Sequence, residues 1–277
     1  MTEPLLPVHD AVRTRLAGAP LVVMLDVDGT LAPIAPRPEL AQVPATTSQC
    51  VAALAAGSHV IVALVSGRAA ADARRLVRVA NTWVIGNHGY EIVSPDGESL
   101  VDPQVEPYRN LIAQAGRRLE PRLAHVAGVI VEDKRWTLSV HYRLADPAVV
   151  PRVRGLVEDT AQALGLHITD GKMVFEIRPP ARVDKGTAVL TLAARLHALG
   201  EGASLVFIGD DRTDEDAFRA LRLRQRNSVT VRVAPDENMG TAAEFAVADP
   251  EEVLRFLEWL RAERGAAPRR AAGGLSG

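Results

Sequence analysis

The sequence lacks the features that mark secreted and membrane proteins. It has one cysteine, Cys50, in 277 residues, so no disulfide can form within the chain. No apolar run approaches the roughly 20 residues that a bilayer-spanning helix needs. Residues 1–20 contain charges and prolines where a signal peptide would be apolar. We therefore expect a cytoplasmic protein that has no membrane partner.

The sequence also lacks a strong charge of either sign. Its formal net charge is -2, which argues against a nucleic-acid partner held by a basic surface. A hydrophobic content of 47% and a charged content of 24% are ordinary for a globular protein of one or two domains. No internal repeat is present. The oligomeric state is not specified by the sequence, and a monomer is the default expectation.

Short apolar runs alternate with longer helical patterns along most of the chain. The apolar runs are residues 21–25, 60–65, 83–85, 205–208 and 229–233. The helical patterns are residues 46–56, 70–80, 185–199, 215–223 and 250–263. This alternation predicts the α/β class, with a doubly wound, mostly parallel sheet. Each apolar run ends in small or polar residues, at the sheet edge where ligands bind in such folds.

The middle of the chain has a different pattern. Helices are predicted at residues 106–123 and 147–164, and strands at 129–133, 137–142, 166–169 and 174–177. Strands paired by tight turns favour an antiparallel sheet with helices on one face. We therefore expect an α/β core from residues 1–103 and 180–264, an inserted α+β domain at 104–179, and a disordered tail at 265–277.

The most informative motif is Asp26-Val27-Asp28-Gly29-Thr30, directly after the first apolar run. Residues i and i+2 of an extended chain point the same way, so Asp26 and Asp28 are predicted to share one side. Paired carboxylates tend to ionise at different pH values, so one can act as a nucleophile while the other keeps a proton. The alternative is a turn rich in aspartate that merely caps a strand.

A second acidic cluster, residues 209–216, follows the apolar run 205–208. Carboxylate oxygens at a strand end suit Mg²⁺, which takes few protein ligands. Asp210 and Asp211 precede the predicted helix and are the better candidates for ligands. Asp214 and its two acidic neighbours are also explained by helix capping and by the helix dipole.

Two further motifs complete a phosphate site. Ser66, Gly67 and Arg68 open a helix, where backbone N–H groups and a hydroxyl hold phosphate oxygens, although serine is also a common helix cap. Lys185 begins a long helix, where an idle lysine is mildly disfavoured by the dipole, although most such lysines are solvated. Together these residues predict in-line attack by Asp26 on phosphorus, with Lys185 and Ser66 offsetting charge and Asp28 moving protons.

These motifs, in this order, resemble the haloacid dehalogenase superfamily of phosphotransferases. A longer set resembles the trehalose-6-phosphate phosphatases within it. That set consists of residues 28–34, 86–89, 141–143, 176–179, 184–186 and 209–216. The resemblance covers nearly the whole chain, and it implies that the inserted domain is a cap over the core. The implied reaction is the hydrolysis of trehalose 6-phosphate to trehalose and phosphate, with Mg²⁺ as cofactor.

The resemblance also implies which residues bind the ligands. Asp26 and Asp210 would hold Mg²⁺ by their side chains and Asp28 by its carbonyl, with Asp214 nearby. The substrate-binding set comprises Gly67, Arg68, Asn87, His88, Glu132, Lys134, His141, Arg143, Lys172, Glu176 and Asp211. From spacing alone, the charged pair Glu132 and Lys134 fits sugar binding and a cross-strand salt-bridge ladder equally well. A lone histidine such as His88 or His141 is usually structural.

Two alternatives to this function stay open. A phosphatase of sucrose, mannosyl or glucosyl phosphate would keep the core motifs and change the cap residues. A catalytically inactive sugar-phosphate sensor would have no need for Asp28. A phosphosugar mutase is disfavoured, because nothing in the sequence indicates how a phosphoenzyme would be shielded from water.

Overall fold

The computed structural model describes residues 2–266 except 172, 226 and 235–239. Within these residues, the strands form one sheet of nine and one of four. The strands are β1 (Glu3–Pro4), β2 (Leu21–Asp26), β3 (Val60–Val65), β4 (Trp83–Gly86), β5 (Glu91–Val93), β6 (Ser99–Val101), β7 (Ile130–Asp133), β8 (Leu138–His141), β9 (His167–Gly171), β10 (Val174–Arg178), β11 (Ser204–Gly209), β12 (Val229–Val233) and β13 (Phe245–Val247).

Eight α-helices are assigned in the same residues. They are α1 (Asp10–Arg15), α2 (Ala45–Ala55), α3 (Ala70–Val77), α4 (Arg109–Leu123), α5 (Val150–Leu164), α6 (Lys185–Arg195), α7 (Asp214–Arg224) and α8 (Pro250–Ala266). None of the helices in the described part of the chain is long and apolar enough to cross a membrane.

The large sheet has the order β1-β13-β12-β11-β2-β3-β4-β5-β6. All neighbouring strands from β1 to β4 are parallel, and β5 and β6 add an antiparallel edge. Every residue of β2 is buried, as expected for a central strand covered on both faces. Leu21, Val23 and Leu25 pack with α2, α3 and α8 on one face. Val22 and Met24 pack with α6 and α7 on the other. The predicted doubly wound, mostly parallel sheet is therefore confirmed.

The small sheet lies wholly within residues 104–179 and has the antiparallel order β7-β8-β10-β9. Helices α4 and α5 pack on one of its faces, against Leu138, Val140, Phe175 and Ile177. The alternate residues of β8 and β10, which include Glu176, are left for the opposite face. We call residues 104–179 the cap. The division of the chain into domains stays a prediction.

Several predicted boundaries differ from the structure. Helix α3 ends at Val77, three residues early, because Arg78 adopts a left-handed φ of 58°. Helix α6 ends at Arg195 rather than at residue 199, and His197 just beyond it has a φ of 52°. The tail predicted to begin at residue 265 is wrong at its start, because Gly265 continues α8. Residues 267–277 lie outside the described residues.

Candidate active site

The polar residues that follow β2, β3 and β11 meet at one edge of the large sheet. These strands are adjacent and parallel, so their carboxyl ends lie side by side. Asp26 ends β2, Ser66 follows β3, and Asp210 follows β11. All three side chains are buried. The expectation that these motifs converge is therefore met by the topology of the sheet.

Lys185 lies at the centre of this edge. Its side chain is buried, and its Nζ donates to Asp26 Oδ1 at 2.8 Å and to Asp214 Oδ1 at 2.7 Å. Asp184 precedes it as the N-cap of α6, in a capping box with Thr187. This cap fixes the start of the helix and hence the lysine. Lys185 is not a solvated surface residue.

Two buried carboxylates, Asp26 and Asp214, accept from the lysine, and the buried Asp210 completes an acidic cluster with them. One oxygen each from Asp26, Asp210 and Asp214 lies within 4.8 Å of the others. The Oδ2 atom of Asp214 accepts from the backbone N–H groups of Asp210 and Asp211, at 3.0 Å each. Asp214 therefore holds both the lysine and the loop that presents Asp210. Asp211 Oδ1 accepts from the N–H groups of Thr213 and Asp214 in the turn that leads into α7.

Burial dominates the electrostatics of this cluster. Burial raises the pKa of Asp26 from 3.8 to about 8, with Asp210 and Asp211 adding to the rise and Lys185 opposing it. Burial also raises the pKa of Asp214. Burial would lower the pKa of Lys185, but Asp214 and Asp26 hold it well above its usual range. The ammonium stays charged, whereas ionising every carboxylate requires additional positive charge.

Asp28 has a cationic partner of its own. The Nε and Nη2 atoms of Arg68 donate to its two carboxylate oxygens, at 2.6 and 2.7 Å. This fork geometry fixes the carboxylate in orientation as well as in position. The backbone N–H of Arg68 donates to Ser66 Oγ at 3.1 Å. One short segment therefore orients both Asp28 and the Ser66 hydroxyl.

Two glycines allow close approach around the site. A Cβ added to Gly29, whose φ is 89°, would lie 2.2 Å from Asp210 Oδ2. A Cβ added to Gly67 would lie 2.3 Å from the imidazole of His88. Larger residues at these positions would displace the acidic loop in one case and the histidine in the other.

A cavity of about 930 Å³ separates this edge from the cap sheet. Most residues of the predicted site line it, from both sides. They are Asp26, Asp28, Ser66, Gly67, Arg68, His88, Glu132, Lys134, His141, Arg143, Glu176, Lys185, Asp210 and Asp211. Asp214 lies beneath the cavity, fully buried. Lys172 lies outside the described residues.

Glu176 is the centre of the cap side of the cavity. Its carboxylate accepts from Lys134 Nζ at 3.0 Å, from Ser139 Oγ at 3.2 Å and from Arg178 Nε at 2.9 Å. It also lies 3.2 Å from Nε2 of His88, a residue of the core, so cap and core are in direct contact at this point. Burial would raise the pKa of Glu176, but His88, Lys134 and Arg178 hold it well below its usual range. Glu176 therefore belongs to an ion-pair network.

The remaining cap residues have simpler contacts. Glu132 Oε2 lies 2.7 Å from His141 Nε2, and neither side chain is fully buried. Arg143 Nη1 donates to the carbonyl of Ala35 in the core at 2.8 Å, across the mouth of the cavity. Salt bridges therefore do form among the cap residues, as one of the two interpretations predicts. The same residues also line the cavity, as the sugar-binding interpretation requires.

Asn87 differs from the rest of the predicted set. Its side chain is fully buried and does not line the cavity among the described residues. Its amide nitrogen donates to Glu91 Oε1 at 2.8 Å and to the carbonyl of Lys134 at 3.2 Å. The assignment of Asn87 to direct substrate binding is therefore not supported, because its polar atoms are used within the protein.

Comparisons with known proteins agree with this geometry. The sequence model of the family described as trehalose-phosphatase matches residues 24–251. The chain belongs to the trehalose-phosphatase family. The resemblance seen in its motifs is thereby confirmed at the level of the family.

Individual relatives match most of this chain but only part of their own length. A trehalose-phosphate phosphatase of Mycobacterium avium (strain 104) is 37% identical over 255 residues, covering 90% of this chain and 65% of that protein. An uncharacterized glycosyl hydrolase of Mycobacterium tuberculosis (strain H37Rv) is 36% identical over 258 residues, covering 92% of this chain and 19% of that protein. The chain thus spans between a fifth and two thirds of these curated relatives.

Among solved structures, a trehalose-6-phosphate phosphatase related protein superimposes with a TM-score of 0.76. The alignment covers 87% of this chain and 97% of that one, at 24% identity. At this identity the match supports the fold.

Some residues of the site were not predicted from the sequence. Arg178 lines the cavity and pairs with Glu176. Its signal was available, because alternate residues of a strand share a face and Glu176 lies two positions earlier. Arg212 and Arg219 line the core side, as do residues 34–37. Residues 35–37 and Arg219 have no local pattern that distinguishes them from ordinary surface residues, whereas Ile34 and Arg212 lie inside the motif segments 28–34 and 209–216.

Proposed function

We propose that the protein hydrolyses trehalose 6-phosphate to trehalose and phosphate through an aspartyl phosphate on Asp26. The observation that carries the proposal is the placement of Asp26. This carboxylate lies at the floor of a large cavity, 2.8 Å from a buried ammonium, and polar cap side chains face it from the opposite wall. A phosphate bound at the floor would leave its sugar against the cap.

The reaction proceeds in two displacements. An Asp26 oxygen attacks phosphorus, forming a new O–P bond while the bond from phosphorus to the sugar oxygen breaks. Asp28 gives a proton to the departing sugar oxygen. Asp28 then removes a proton from water, whose oxygen attacks phosphorus and releases Asp26 and inorganic phosphate. Lys185 and Ser66 offset charge on the phosphoryl oxygens throughout.

The acidic cluster fits a divalent cation by its charge. Three carboxylates and one ammonium carry a formal charge of minus two, which a single divalent cation would neutralise. Asp26 and Asp210 would hold Mg²⁺ by side-chain oxygens and Asp28 by its carbonyl. Asp214 would support the cation from nearby, since both of its oxygens already accept hydrogen bonds. When bound, Mg²⁺ supplies positive charge to the phosphoryl oxygens.

The sugar would be recognised by the cap. Glu132, Lys134, His141, Arg143 and Glu176 line that wall and offer donors and acceptors for several hydroxyls. Lys172 is part of the same proposal. On the core side, Gly67, Arg68, His88 and Asp211 lie close enough to contact the phosphate or the first sugar ring.

A phosphate-release assay across sugar phosphates tests the proposal. Trehalose 6-phosphate should give the highest kcat/KM in a panel that includes sucrose, mannosyl and glucosyl phosphates. Asp26→Asn, which keeps the shape of the side chain, is the matched control and should release no phosphate. A higher kcat/KM for another sugar phosphate would favour the related phosphatase. No release from any substrate, with or without Mg²⁺, would favour the inactive sensor.

A further inference from the structure

The cap also touches the core through the turn between β7 and β8, beside the two connecting segments, where Val101, Ala181 and Val183 pack on the same cluster as Trp136. The turn between β7 and β8, residues 134–137, lies against the residues that follow β4. Trp136 is buried there with Tyr90 and Val105. We call residues 134–137 the cap turn. Its side chains reach the core through both apolar packing and hydrogen bonds.

Asn87 holds both ends of the cap turn. Its Nδ2 donates to the carbonyl of Lys134 at 3.2 Å, and its Oδ1 accepts from the Thr137 hydroxyl at 3.1 Å. Within the turn, the Lys134 N–H donates to the Thr137 carbonyl at 3.0 Å. Asn87 and Thr137 are fully buried, as is the hydrogen bond between their side chains. Hydrogen bonds in such a place are costly to leave unmade.

Asn87 is also tied to the phosphate side of the site. Its backbone N–H donates to the carbonyl of Arg68 at 2.8 Å. Its Nδ2 shares the Glu91 Oε1 atom with the N–H of Ala70, each at 2.8 Å. The segment that carries Ser66 and Arg68 is therefore bound to the same asparagine that binds the cap turn.

The hydrogen bonds of Asn87 fix the position of Lys134. Its backbone is held by Asn87, and its Nζ donates to the Gly67 carbonyl at 3.3 Å and to Glu176 at 3.0 Å. The ammonium therefore lies between the phosphate segment of the core and the sugar wall of the cap. A shift of the cap turn would move this ammonium relative to both.

We infer that Asn87 and Thr137 are positioning residues that set Lys134 between the phosphate and the sugar, and so determine selectivity for a sugar phosphate over a small phosphoester. They touch no substrate themselves and act through Lys134. The inference rests on the proposed function, and it gives Asn87 a role other than ligand binding. A small aryl phosphate reaches Asp26 without needing the sugar wall, so its hydrolysis depends little on this geometry.

Thr137→Val tests the inference, because it removes the hydroxyl and keeps the branched shape of a fully buried side chain. The matched control is Thr137→Ser, which keeps the hydroxyl. The measurements are kcat and KM for trehalose 6-phosphate and for p-nitrophenyl phosphate on one preparation of each variant. For Thr137→Val we expect about a tenfold rise in KM for the sugar phosphate, the size of one buried hydrogen bond. The KM for the aryl phosphate should change by less than about twofold. Thr137→Ser should keep the wild-type ratio of the two KM values.

Hydrogen exchange gives a second readout that needs no substrate. Thr137→Val should speed exchange in residues 133–137 by about tenfold while β12 stays protected. An unchanged substrate ratio would overturn the inference, even if the cap turn exchanged faster. If the wild-type protein failed to turn over trehalose 6-phosphate, the proposed function would fail on its own. Hydrogen exchange would then test the positioning role by itself. Equal protection of the cap turn in Thr137→Val and Thr137→Ser would overturn that role.

Discussion

Asparagine in place of Asp26 should stabilise the metal-free protein while removing its activity. The reason lies in the buried acidic cluster. The pKa of Asp26 is about 8 in the folded protein, against an ordinary value of 3.8. Folding must therefore either keep a proton on this carboxyl or bury an additional negative charge among acids. Asparagine has nearly the same shape and needs neither.

The size of the effect follows from the two pKa values. Above pH 3.8 the unfolded chain loses the proton that the folded protein keeps. The free energy of unfolding therefore falls by about 1.4 kcal/mol for each pH unit. At pH 7 the accumulated cost is about 4 kcal/mol, and it levels off above pH 8. The wild-type protein thus loses stability from this group as pH rises. The variant does not, and about 4 kcal/mol is the upper limit on its gain at pH 7, because burying the amide also carries a cost.

Urea unfolding in excess chelator, repeated from pH 5 to pH 8, measures this difference. The free energy of unfolding of Asp26→Asn minus that of the wild type should grow by about 1.4 kcal/mol per pH unit, then flatten near pH 8. Adding Mg²⁺ should narrow the difference, since a cation favours the ionised carboxylate. A difference that did not depend on pH would refute the reasoning, whatever its size.

Further predictions concern the metal, the lysine and the cap. Activity should be lost in excess chelator and return with Mg²⁺, because the clustered carboxylates otherwise repel an anionic substrate; full activity in chelator would reject a metal-dependent mechanism. Lys185→Met should lower kcat by about 10²–10³-fold in a protein that circular dichroism shows to be folded, and a near-normal kcat would remove Lys185 from the chemistry. Glu132→Ala should cost about 2 kcal/mol in kcat/KM for trehalose 6-phosphate and little for an aryl phosphate. A parallel loss on both substrates would make Glu132 structural.

Glu132 is a better test of sugar recognition than Glu176. Glu176 is buried and has four polar partners among the described residues, so truncating it would deprive Lys134 and Arg178 of their carboxylate partner. That change would destabilise the cap and confuse the comparison between substrates. Within the part of the chain that the structure describes, Glu132 has one hydrogen-bonding side-chain partner, His141, and it remains partly exposed.

The sequence predicts well which polar residues meet at one edge of the large sheet, because the rules involved are local. A buried strand followed by Asp26 and Asp28 specifies a strand end, and parallel strands place such ends together. Lys185 needs only its position at the start of a helix. These predictions require no knowledge of which distant residues meet.

Predictions fail where a partner is distant in the chain. The motif around Asn87 predicts a functional residue, but its hydrogen-bond partners lie 47 and 50 residues away in the chain. The sequence alone therefore does not distinguish a substrate-binding side chain from one that is buried and hydrogen-bonded within the protein. The contact of Arg143 with Ala35 spans 108 residues and had no local signal. The edge strands β5 and β6 are three residues each, too short for a recognisable alternation.

The insertion of the cap has a consequence for the order in which the chain folds. Strand β2 pairs with β3 on one side, and β3 precedes the cap in the chain. On its other side β2 pairs with β11, which is synthesised only after the whole cap. Asp26 likewise meets Lys185 across 159 residues. A nascent chain therefore leaves one edge of β2, and with it Asp26, without its final partners until most of the polypeptide exists, and closing so long a loop is slow. Catalytic competence should be the last property that the growing chain acquires.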